Sequence, residues 1–581
     1  MILQALTRYY ETLADQGKIA RPGWAKSRIS YALCLNTDGE LVQVIPLLEE
    51  TGGKKPQPRQ FDLPAPVKRT VGIDSNFLWD NSSYLLGVDA KSKPDRSRQC
   101  FFACKERHHT VLDGVNSTAA AAILHFFDTW NPANARTHPA LQNDFEAMTA
   151  GGNLMFRIDG AFPHEDEAIR HAWQAYYDKA EGDTQQCLVT GHEDQIAVVH
   201  PSIKGVDGAQ SSGAAIVSFN APAFCSYGQE QSFNAPVGRY AAFAYTAALN
   251  HLLADRENVQ KIGDTTVVCW AENAEPQYQA FTFAALFGQK QDRLDENDLR
   301  ETVRRLASGM RVPEQNLDPD RTFYILGLAP NAARLSVRFF FRDSFGHLMK
   351  NVNEHHERME IVRPSYDKYE TIPLWAMLRE TVNQNSRDKS PSPIMAGAVA
   401  RAIFTGGLYP AMLLEQTMMR IRAERDINRG KAAIIKAYYL RNSNPDCPKE
   451  VLTVALNEAS TNPAYTLGRL FSVYEAVQSD ANPGINSTIK DKYFNSAAST
   501  PATIFPLLDN LCQKHLRKLS TSRRIWYEKQ IIALTAVLGD EYPTRMNLPQ
   551  QGSFNLGYYH QTQKRYEKKE EKKHDSHSKP L

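Results

Sequence analysis

The apolar residues of this 581-residue chain change their spacing near Pro373, and that change limits the folds open to it. Before Pro373, apolar stretches such as TTVVCWAEN are short, rich in β-branched and aromatic residues, and separated by turn residues, which predicts strands. After it, apolar residues recur every three or four positions, as at Leu467, Leu470 and Phe471, which predicts amphipathic helices. We therefore expect an α+β protein, with mixed α/β N-terminal and central domains followed by an α-helical C-terminal bundle.

Shifts in composition divide the chain further. The last residues, YEKKEEKKHDSHSKPL, are charged and of low complexity, and they lack the apolar residues that a core requires. The predicted segments are an N-terminal α+β domain at 1–110, a central α+β domain with a Gly-rich polar loop at 111–370, a helical connecting region at 371–450, a helical bundle at 451–560 and a disordered charged tail at 561–581.

Several local patterns give more specific expectations. An amphipathic helix is predicted at the N-terminus, followed by a hairpin that turns at Asp38-Gly39. The stretch TGGKKPQPRQFDLPAPVKRTVG, residues 51–72, is rich in Gly, Pro and cations and is predicted to be an exposed loop. QCLVTG, residues 186–191, is predicted to be a buried strand. STIKDKYFNSAAST, residues 487–500, places Lys490 and Lys492 near a predicted loop of the bundle.

The overall charge predicts no particular partner. Lys and Arg total 67 against 65 Asp and Glu, so the formal charge is +2 and any binding to nucleic acid must come from local patches. No apolar run is long enough to span a membrane, and the N-terminal helix lacks the apolar core of a signal peptide. The eight scattered cysteines suit a reducing compartment. We therefore expect a cytoplasmic protein without a membrane partner.

Common catalytic motifs are missing from the sequence. The segment GAQSSG lacks the Lys and Ser or Thr of a phosphate-binding P-loop, and neither a G-x-S-x-G elbow nor an H-E-x-x-H motif occurs. Cys100, Cys104, His108 and His109 could be drawn as zinc ligands, but their spacing fits ordinary helix residues better. We expect no enzyme activity, no catalytic residues, no metal and no cofactor.

Binding chemistry is concentrated in the middle of the chain. In IKGVDGAQSSGAAIVSFN, residues 203–220, glycines allow backbone N–H groups to approach a phosphate, while polar side chains add hydrogen bonds. The following stretch offers aromatic side chains for stacking and amides for base edges. An equally weighted alternative is that these groups satisfy one another in a turn-rich core. The candidates are Lys204, Gln210, Ser211, Ser212, Asn220, Tyr227, Gln231 and Asn234.

The helical end carries a second basic region. KHLRKLSTSRR places cations close together beside Trp526 and Tyr527, a combination that suits a single-stranded backbone and its unstacked bases. The alternative is an ordinary solvated helix face. The candidates are Lys490, Lys492, Lys514, Arg517, Lys518, Arg523 and Arg524.

Several long blocks also resemble a known family. FLWDNSSYLLG, CLVTGHEDQIAVVHPSIKGVDGAQSSGAAIVSFNAPAFCSYGQEQSFNAPVG, FYILGLAPNAARLSVRFF and NPAYTLGRLFSVYEAVQSDANPGINSTIKDKYFNSAAST are similar to the large subunit of the type I-C CRISPR Cascade surveillance complex. The resemblance runs from about Met1 to His560. It implies a non-catalytic subunit that recognises the protospacer-adjacent motif (PAM) in duplex DNA, assists R-loop formation and helps to recruit the helicase-nuclease.

The resemblance also implies partners and site roles. The partners would be crRNA, double-stranded target DNA with its displaced strand, the other Cascade backbone and small subunits, and the helicase-nuclease. The bundle would correspond to a small subunit that can also be made separately, from Met418, Met419 or a valine start such as Val451 or Val454. PAM reading is assigned to the N-terminal domain through Lys54, Lys55, Lys68, Arg69, Asn76 and Asn81, with Trp79 in the core.

Two alternatives to this function stay open. One is a purely structural scaffold that holds RNA-bound subunits without touching DNA. The other is a guide-RNA-processing nuclease that uses His108, His109 or Lys204 for acid–base chemistry. The sequence does not decide whether the Gly-rich loop contacts RNA, DNA or protein.

Overall fold

The computed structural model of the chain describes residues 1–49, 56–67, 69, 72–90, 94–179, 182–288, 295–367, 369–387, 389–539 and 541–577, with side chains as far as residue 566. It forms two compact units. Unit 1 comprises Met1–Pro201 and Val217–Ala248, and unit 2 comprises Ser202–Ile216 and Leu249–Leu581. The α+β fold is confirmed, but the two units do not coincide with the five predicted segments.

Unit 1 combines small sheets with helices. Its strands are β1 Trp24–Ile29, β2 Tyr31–Leu35, β3 Leu41–Pro46, β4 Leu48–Glu49, β5 Gln57–Pro64, β6 Trp79–Asp80, β7 Leu154–Ile158, β8 Thr184–Gln186 and β9 Glu193–Gln195. Its helices are α1 Ile2–Asp15, α2 Ser82–Leu85, α3 Pro94–Leu112, α4 Thr118–Thr129, α5 Phe145–Ala150, α6 Glu167–Asp178 and the first part of α7 Arg239–Ala254.

The central sheet of unit 1 has the strand order β3-β2-β7-β6. Strand β2 pairs antiparallel with β3 and parallel with β7, and the predicted hairpin between β2 and β3 is confirmed. Gly39 adopts a φ of +79° in the hairpin turn, and a Cβ there would collide with the backbone of α4 at Ala122. Both the turn and the close helix contact therefore require glycine. Trp79, on β6, is buried in the core as predicted.

A second sheet in unit 1 corrects the prediction for residues 51–72. Gln57–Pro64 forms strand β5, in which Arg59 to Pro64 pair antiparallel with β1 and Gln57 and Pro58 pair with β4, in the order β1-β5-β4. Phe61 and Leu63 alternate toward the core and drive strand formation, while the prolines lie near the ends of the strand. The predicted buried strand at 186–191 is also wrong, because residues 188–192 form turns and Leu188 is largely exposed.

Unit 2 begins with an antiparallel sheet and continues as a helical array. Its strands are β10 Gln260–Ile262, β11 Thr265–Ala271, β12 Thr322–Asn331 and β13 Arg334–Ser344, in that order. Its helices are α8 Gln277–Phe287, α9 Glu296–Ala307, α10 Phe345–Met359, α11 Leu374–Arg379, α12 Pro393–Thr405, α13 Ala411–Glu424, α14 Arg429–Asn442, α15 Pro463–Ala481, α16 Ile489–Ser499, α17 Pro501–Leu516, α18 Thr521–Leu538 and α19 Leu548–His577.

Helix α15 lies at the centre of the C-terminal bundle and is buried along most of its length. It packs against α19 at two glycines, Gly468 and Gly557. A Cβ on either glycine would collide with the backbone of the opposite helix, at Phe554 and Tyr465 respectively. This close approach fixes the two helices against each other and gives α16, α17 and α18 a rigid support.

These helices bear on two predictions for the helical end. Lys490 and Lys492, predicted to lie near a loop, are in the first turns of α16, because Thr488 and Asp491 form a capping box that starts the helix at Ile489. The predicted boundary at 560 falls inside α19, which continues to His577. The start of the segment expected to be disordered is therefore a packed helix, in which Arg565 bonds to Asp480 at 2.8 Å.

Candidate nucleic-acid interface

Arg69, a predicted PAM-reading residue, is bonded to other residues of unit 1. Its guanidinium pairs with the carboxylate of Asp80 and lies over the ring of Tyr84, 4.1 Å from the centroid. Asp80 is buried, and burial raises the pKa of its carboxyl while the Arg69 guanidinium opposes that rise. The charge of Arg69 is therefore largely used to compensate a buried carboxylate.

The two predicted asparagines near Arg69 also have structural partners. Asn76 is buried, and its side-chain carbonyl accepts the Val67 N–H at 3.0 Å. Asn81 caps α2 by accepting the Ser83 N–H at 3.0 Å. Removing either side chain would therefore disturb the local backbone, whether or not the residue contacts a ligand. The remaining predicted cations of this region, Lys54, Lys55 and Lys68, lie outside the described residues.

A cationic strand face that sequence reasoning missed lies nearby in unit 1. Lys26 and Arg28 are exposed on β1, opposite Asp62 and Gln60 of β5, and these four residues point away from the core. Neither Lys26 nor Arg28 forms an ion pair with any residue that the structure describes. The alternation of Lys26, Ser27 and Arg28 was a period-two signal in the sequence that could have revealed this strand face.

The Gly-rich loop of unit 2, residues 203–214, is closed by its backbone. Ile203 and Ala214 exchange hydrogen bonds of 2.9 Å across the base of the loop. The side chain of Asn250 accepts the Lys204 N–H at 2.8 Å and donates to the Ser202 carbonyl at 3.1 Å. Gly213 has a φ of +99°, a conformation in which a side chain would be strained. These hydrogen bonds thus fix the backbone at the base of the loop.

This closure leaves the predicted binding side chains on the surface. Lys204, Gln210, Ser211 and Ser212 are all exposed. None of their side chains bonds to another described residue, so the alternative of mutual satisfaction in a core does not describe this loop. The structure therefore presents one ammonium group, one amide and two hydroxyls on a rigid backbone, which is a set of donors suited to a sugar–phosphate chain.

The polar segment at 220–234 of unit 1 behaves differently. Asn234 holds the segment together, because its side chain accepts the Ser226 N–H at 2.7 Å and donates to the carbonyls of Gln229 and Gln231. Asn220, Gln231 and Tyr227 are exposed, and Tyr227 is fully accessible. Asn234 therefore has the role that the alternative interpretation assigned to the whole stretch, whereas Tyr227 and Gln231 present their side chains on the surface.

Three cations at the C-terminal end of α17 form the clearest basic site of the bundle, and we call Lys514, Arg517 and Lys518 the cation cluster. Lys514 and Arg517 are exposed and bond to no other described residue. Lys518 donates to the neutral amide of Asn482 at 2.9 Å, so its charge is not cancelled. The carbonyls at the end of α17 favour these positive charges.

The two candidate cations of α18, Arg523 and Arg524, lie within ion-pair distance of carboxylates. Arg523 lies 3.6 Å from Asp480, which also accepts from Arg565 and from the Tyr527 hydroxyl at 2.7 Å. Tyr527 is buried and cannot stack on a base, whereas Trp526 is 43% exposed and can. Arg524, the other α18 candidate, lies 3.7 Å from Glu528.

The two cations of α16 face different environments. Lys490 is partly buried, lies 3.4 Å from Asp426 and sits 5.6 Å from the centre of the Tyr558 ring. Lys492 is exposed and lies 5.1 Å from the ring centre of Tyr493. Lys492 is therefore the more accessible of the pair.

The two histidines considered for zinc or for acid–base catalysis have ordinary structural partners. His108 is fully buried, with Nδ1 at 2.8 Å from the Cys104 carbonyl and Nε2 accepting the Leu78 N–H at 3.0 Å. Burial lowers the pKa of His108 to about 4. His109 bonds to Asp113 and Asp128. Within the described ranges, no group of three His, Cys, Asp or Glu side chains could hold a metal ion.

Comparisons with known proteins identify the family to which the chain belongs. In the described part of the chain, no helix is both long and apolar enough to cross a membrane. No match was found among curated proteins. The family model described as CRISPR-associated protein (Cas_Csd1) matches residues 6–566, which is nearly the whole chain. The chain therefore belongs to the Cas_Csd1 family, the large subunits of type I-C Cascade.

Proposed function

We propose that this Cascade subunit recognises the PAM in duplex DNA through unit 1 and contacts single-stranded DNA through the cation cluster, without catalysing a reaction. In an RNA-guided complex the guide reads the long target by base pairing, so the protein needs to read only a short duplex. The observation that carries the proposal is the exposed face of β1 and β5, where Lys26 and Arg28 lack a carboxylate partner among the described residues.

This strand face suits a DNA groove for geometric reasons. A two-stranded antiparallel ribbon fits the major groove, where Arg and Lys bond to guanine and Gln bonds to adenine. Strand β4 pairs antiparallel with β5 and continues the same sheet. We therefore move PAM reading from Arg69, Asn76 and Asn81 to the face that contains Lys26 and Arg28.

Binding of short duplexes tests this placement. The double variant Lys26→Ala/Arg28→Ala should bind PAM-containing duplexes at least about tenfold more weakly, because each lost base or phosphate contact costs about 1–3 kcal/mol. Arg59→Ala is the matched control, since Arg59 lies on β5 but is paired with Glu49 at 3.5 Å. Unchanged affinity of the double variant across a library of candidate motifs would refute the placement.

After the PAM is found, the subunit would assist R-loop formation by holding a separated strand at the cation cluster. Exposed Trp526 offers a face on which an unstacked base can lie. The subunit would then help to recruit the helicase-nuclease, and its other partners would be crRNA and the remaining Cascade subunits. The loop at 203–214 supplies a further donor surface, either for guide RNA or for DNA beside the PAM.

The scaffold alternative gains some support from Arg69, Asn76 and Asn81, all of which serve the fold of unit 1. Crosslinking to DNA that carries a photoreactive group beside the PAM separates the two functions. Crosslinks to β1 support PAM recognition, and a lack of DNA crosslinks supports the scaffold. A metal-free cleavage assay with labelled guide precursor tests the nuclease alternative. Intact precursor is the result that we expect.

Whether the bundle is also produced as a separate polypeptide can be tested on the purified complex. Because no methionine lies between Met419 and Met546, a product covering the bundle would begin at Met418 or Met419 and include part of α13, or at a valine such as Val451 or Val454. Intact-mass spectrometry of the purified complex distinguishes these starts. We expect one such mass alongside the full chain.

A further inference from the structure

Two tyrosine rings are exposed on the loop of unit 2 that connects α10 to α11. Tyr366 is 83% exposed and Tyr369 is 70% exposed. Neither side chain forms a hydrogen bond or a ring contact with another described residue. A partner that covered these rings would remove a large apolar area from water. We call these two residues the tyrosine pair, and both are free to bind a partner.

Two turns fix the backbone beneath the tyrosine pair. The Asp367 N–H donates to the Pro364 carbonyl at 3.0 Å, which closes a β-turn with Tyr366 at its third position. The Asp367 carboxylate accepts the Tyr369 N–H at 3.1 Å, which forms an Asx turn. The tyrosine side chains therefore take no part in holding the loop.

Contacts to two helices anchor the loop on both sides of the turns. Arg429 of α14 is buried, and its guanidinium donates to the Tyr369 carbonyl at 2.5 Å and to the Asp367 carboxylate at 3.0 Å. On the N-terminal side, the Tyr559 hydroxyl of α19 donates to the Val362 carbonyl at 2.7 Å. Binding therefore does not require the loop to become ordered first, which favours affinity.

The charges of this loop suit a polyanion. Its two carboxylates are each paired with an arginine: Asp367 with Arg429 at 3.0 Å, and Glu370 with Arg300 at 3.1 Å. Unpaired carboxylates beside the rings would repel phosphate groups. Because both are compensated, a sugar–phosphate chain can pass over the loop.

The surroundings of the rings favour nucleic acid over protein as the partner. A protein hot spot is usually surrounded by further packed contacts that exclude water. Here Ile361 and Pro364 are buried, and exposed Ser365 lies beside Tyr366. An unstacked base needs only the face of a ring and a path for its phosphates. The tyrosine pair meets both requirements.

We propose that the tyrosine pair stacks on unpaired bases of single-stranded DNA. This inference rests on the proposed contact with single strands, and it adds a surface for bases to the phosphate contacts of the cation cluster. Every base has a π face, so the contact does not depend on sequence. The rings are uncharged, so stacking raises affinity without releasing counterions.

The test is fluorescence anisotropy of the full-length protein with a labelled single strand, and with an abasic strand of the same length. Tyr366→Ala/Tyr369→Ala should bind the base-bearing strand about thirtyfold more weakly, the lower limit for two stacked bases, and each single variant about fivefold more weakly. The log–log slope against salt should stay at the wild-type value. The abasic strand should bind the variant and the wild type equally.

Two further variants serve as controls. Tyr366→Phe/Tyr369→Phe keeps both rings and should bind as the wild type does. Trp375→Ala removes a ring of α11 that is 54% exposed and should leave the affinity unchanged. The reason is local charge, because Trp375 lines a cavity in which three carboxylates outnumber two cations. These residues are Glu380, Glu424, Asp426, Arg379 and Lys431. All the substituted rings are exposed, so thermal unfolding should match the wild type.

Several results would overturn the inference. They are equal affinity of the alanine variant and the wild type for the base-bearing strand, an equal loss for the abasic strand, a loss in the phenylalanine variant, and a loss as large in Trp375→Ala. Unchanged strand affinity together with loss of the alanine variant from the assembled complex would assign the tyrosine pair to a protein partner instead.

Failure here can be told apart from failure of the proposed function. If the wild type binds single strands and the cation-cluster variant alone weakens that binding, the inference about the tyrosine pair is wrong and the proposed strand contact stands. If the wild type binds no single strand, both are wrong. Duplex binding through Lys26 and Arg28 is measured separately in either case.

Discussion

Replacing the cation cluster with alanine should change the salt dependence of single-strand binding by a calculable amount. Lys514, Arg517 and Lys518 are exposed and have no carboxylate partner among the described residues. A cation can release a counterion from DNA only if its charge is not already neutralised. At about 0.7 of log–log slope for each single-strand phosphate contact, removing all three should make the slope shallower by about 2.

The same slope sets the loss of affinity. If wild type and variant converge near 1 M salt, a slope difference of about 2 corresponds to about a hundredfold weaker binding at 0.1 M. Anisotropy titrations of the full-length protein with a labelled single strand, repeated at several salt concentrations, measure both quantities. Each variant should first be compared with wild type by thermal unfolding, since these exposed side chains contribute little to stability.

Arg523→Ala is the internal control. Arg523 lies one helix away from the cation cluster, but Asp480, which it shares with Arg565, already offsets part of its charge. Its removal should change the slope by less than about half the loss expected for one free cation. If the triple variant keeps the wild-type slope, or if Arg523→Ala has as large an effect for each charge removed, the reasoning from local neutralisation is wrong.

Two further predictions concern stability. Arg69→Met should lower the free energy of unfolding by about 3–5 kcal/mol because it leaves buried Asp80 unpaired, whereas Arg59→Ala should cost at most about 1 kcal/mol; equal denaturation midpoints would contradict this difference. The pKa of folded His108 is about 4, below its usual value of 6.5. Neutral His108 therefore contributes about 3 kcal/mol to the free energy of unfolding above pH 6.5, and this contribution is lost as the pH falls to 4. In denaturant titrations, the free energy of unfolding should fall less between pH 7 and pH 5 for His108→Gln than for the wild type. An equal fall in both proteins would show that His108 is not the group responsible.

The sequence predicted the fold best where a pattern was long and regular. The paired strands β12 and β13 and the helices after Pro373 followed from periods of two and 3.6. Strand β5 was missed because prolines near its ends outweighed the alternation of Phe61 and Leu63. The start of α16 was missed because the capping box at Thr488 and Asp491 went unrecognised.

The site was harder to predict because sequence does not show which polar side chains are already bonded. Arg69 and Arg28 look equivalent in the sequence, but only Arg69 meets a buried carboxylate, which comes from a residue eleven positions later. Tyr527 and Trp526 are neighbours, yet the helix turns one toward Asp480 and the other toward the surface. These differences arise from packing between elements, which composition and spacing do not contain.

Comparison of the two polar segments suggests a physical reason for why some polar side chains are left available for binding. In the loop at 203–214 the backbone closes the turn, and glycines take the positive φ angles at 205, 208 and 213, so Lys204 and Gln210 are not needed to hold it. At 226–234, Tyr227 and Gln231 adopt positive φ angles themselves, a conformation that costs roughly 1 kcal/mol or more for a residue with a side chain. Asn234 offsets that cost through its three hydrogen bonds, and its side chain is therefore not available to a ligand. A polar side chain is therefore available to a ligand where glycine and backbone bonds have already determined the loop.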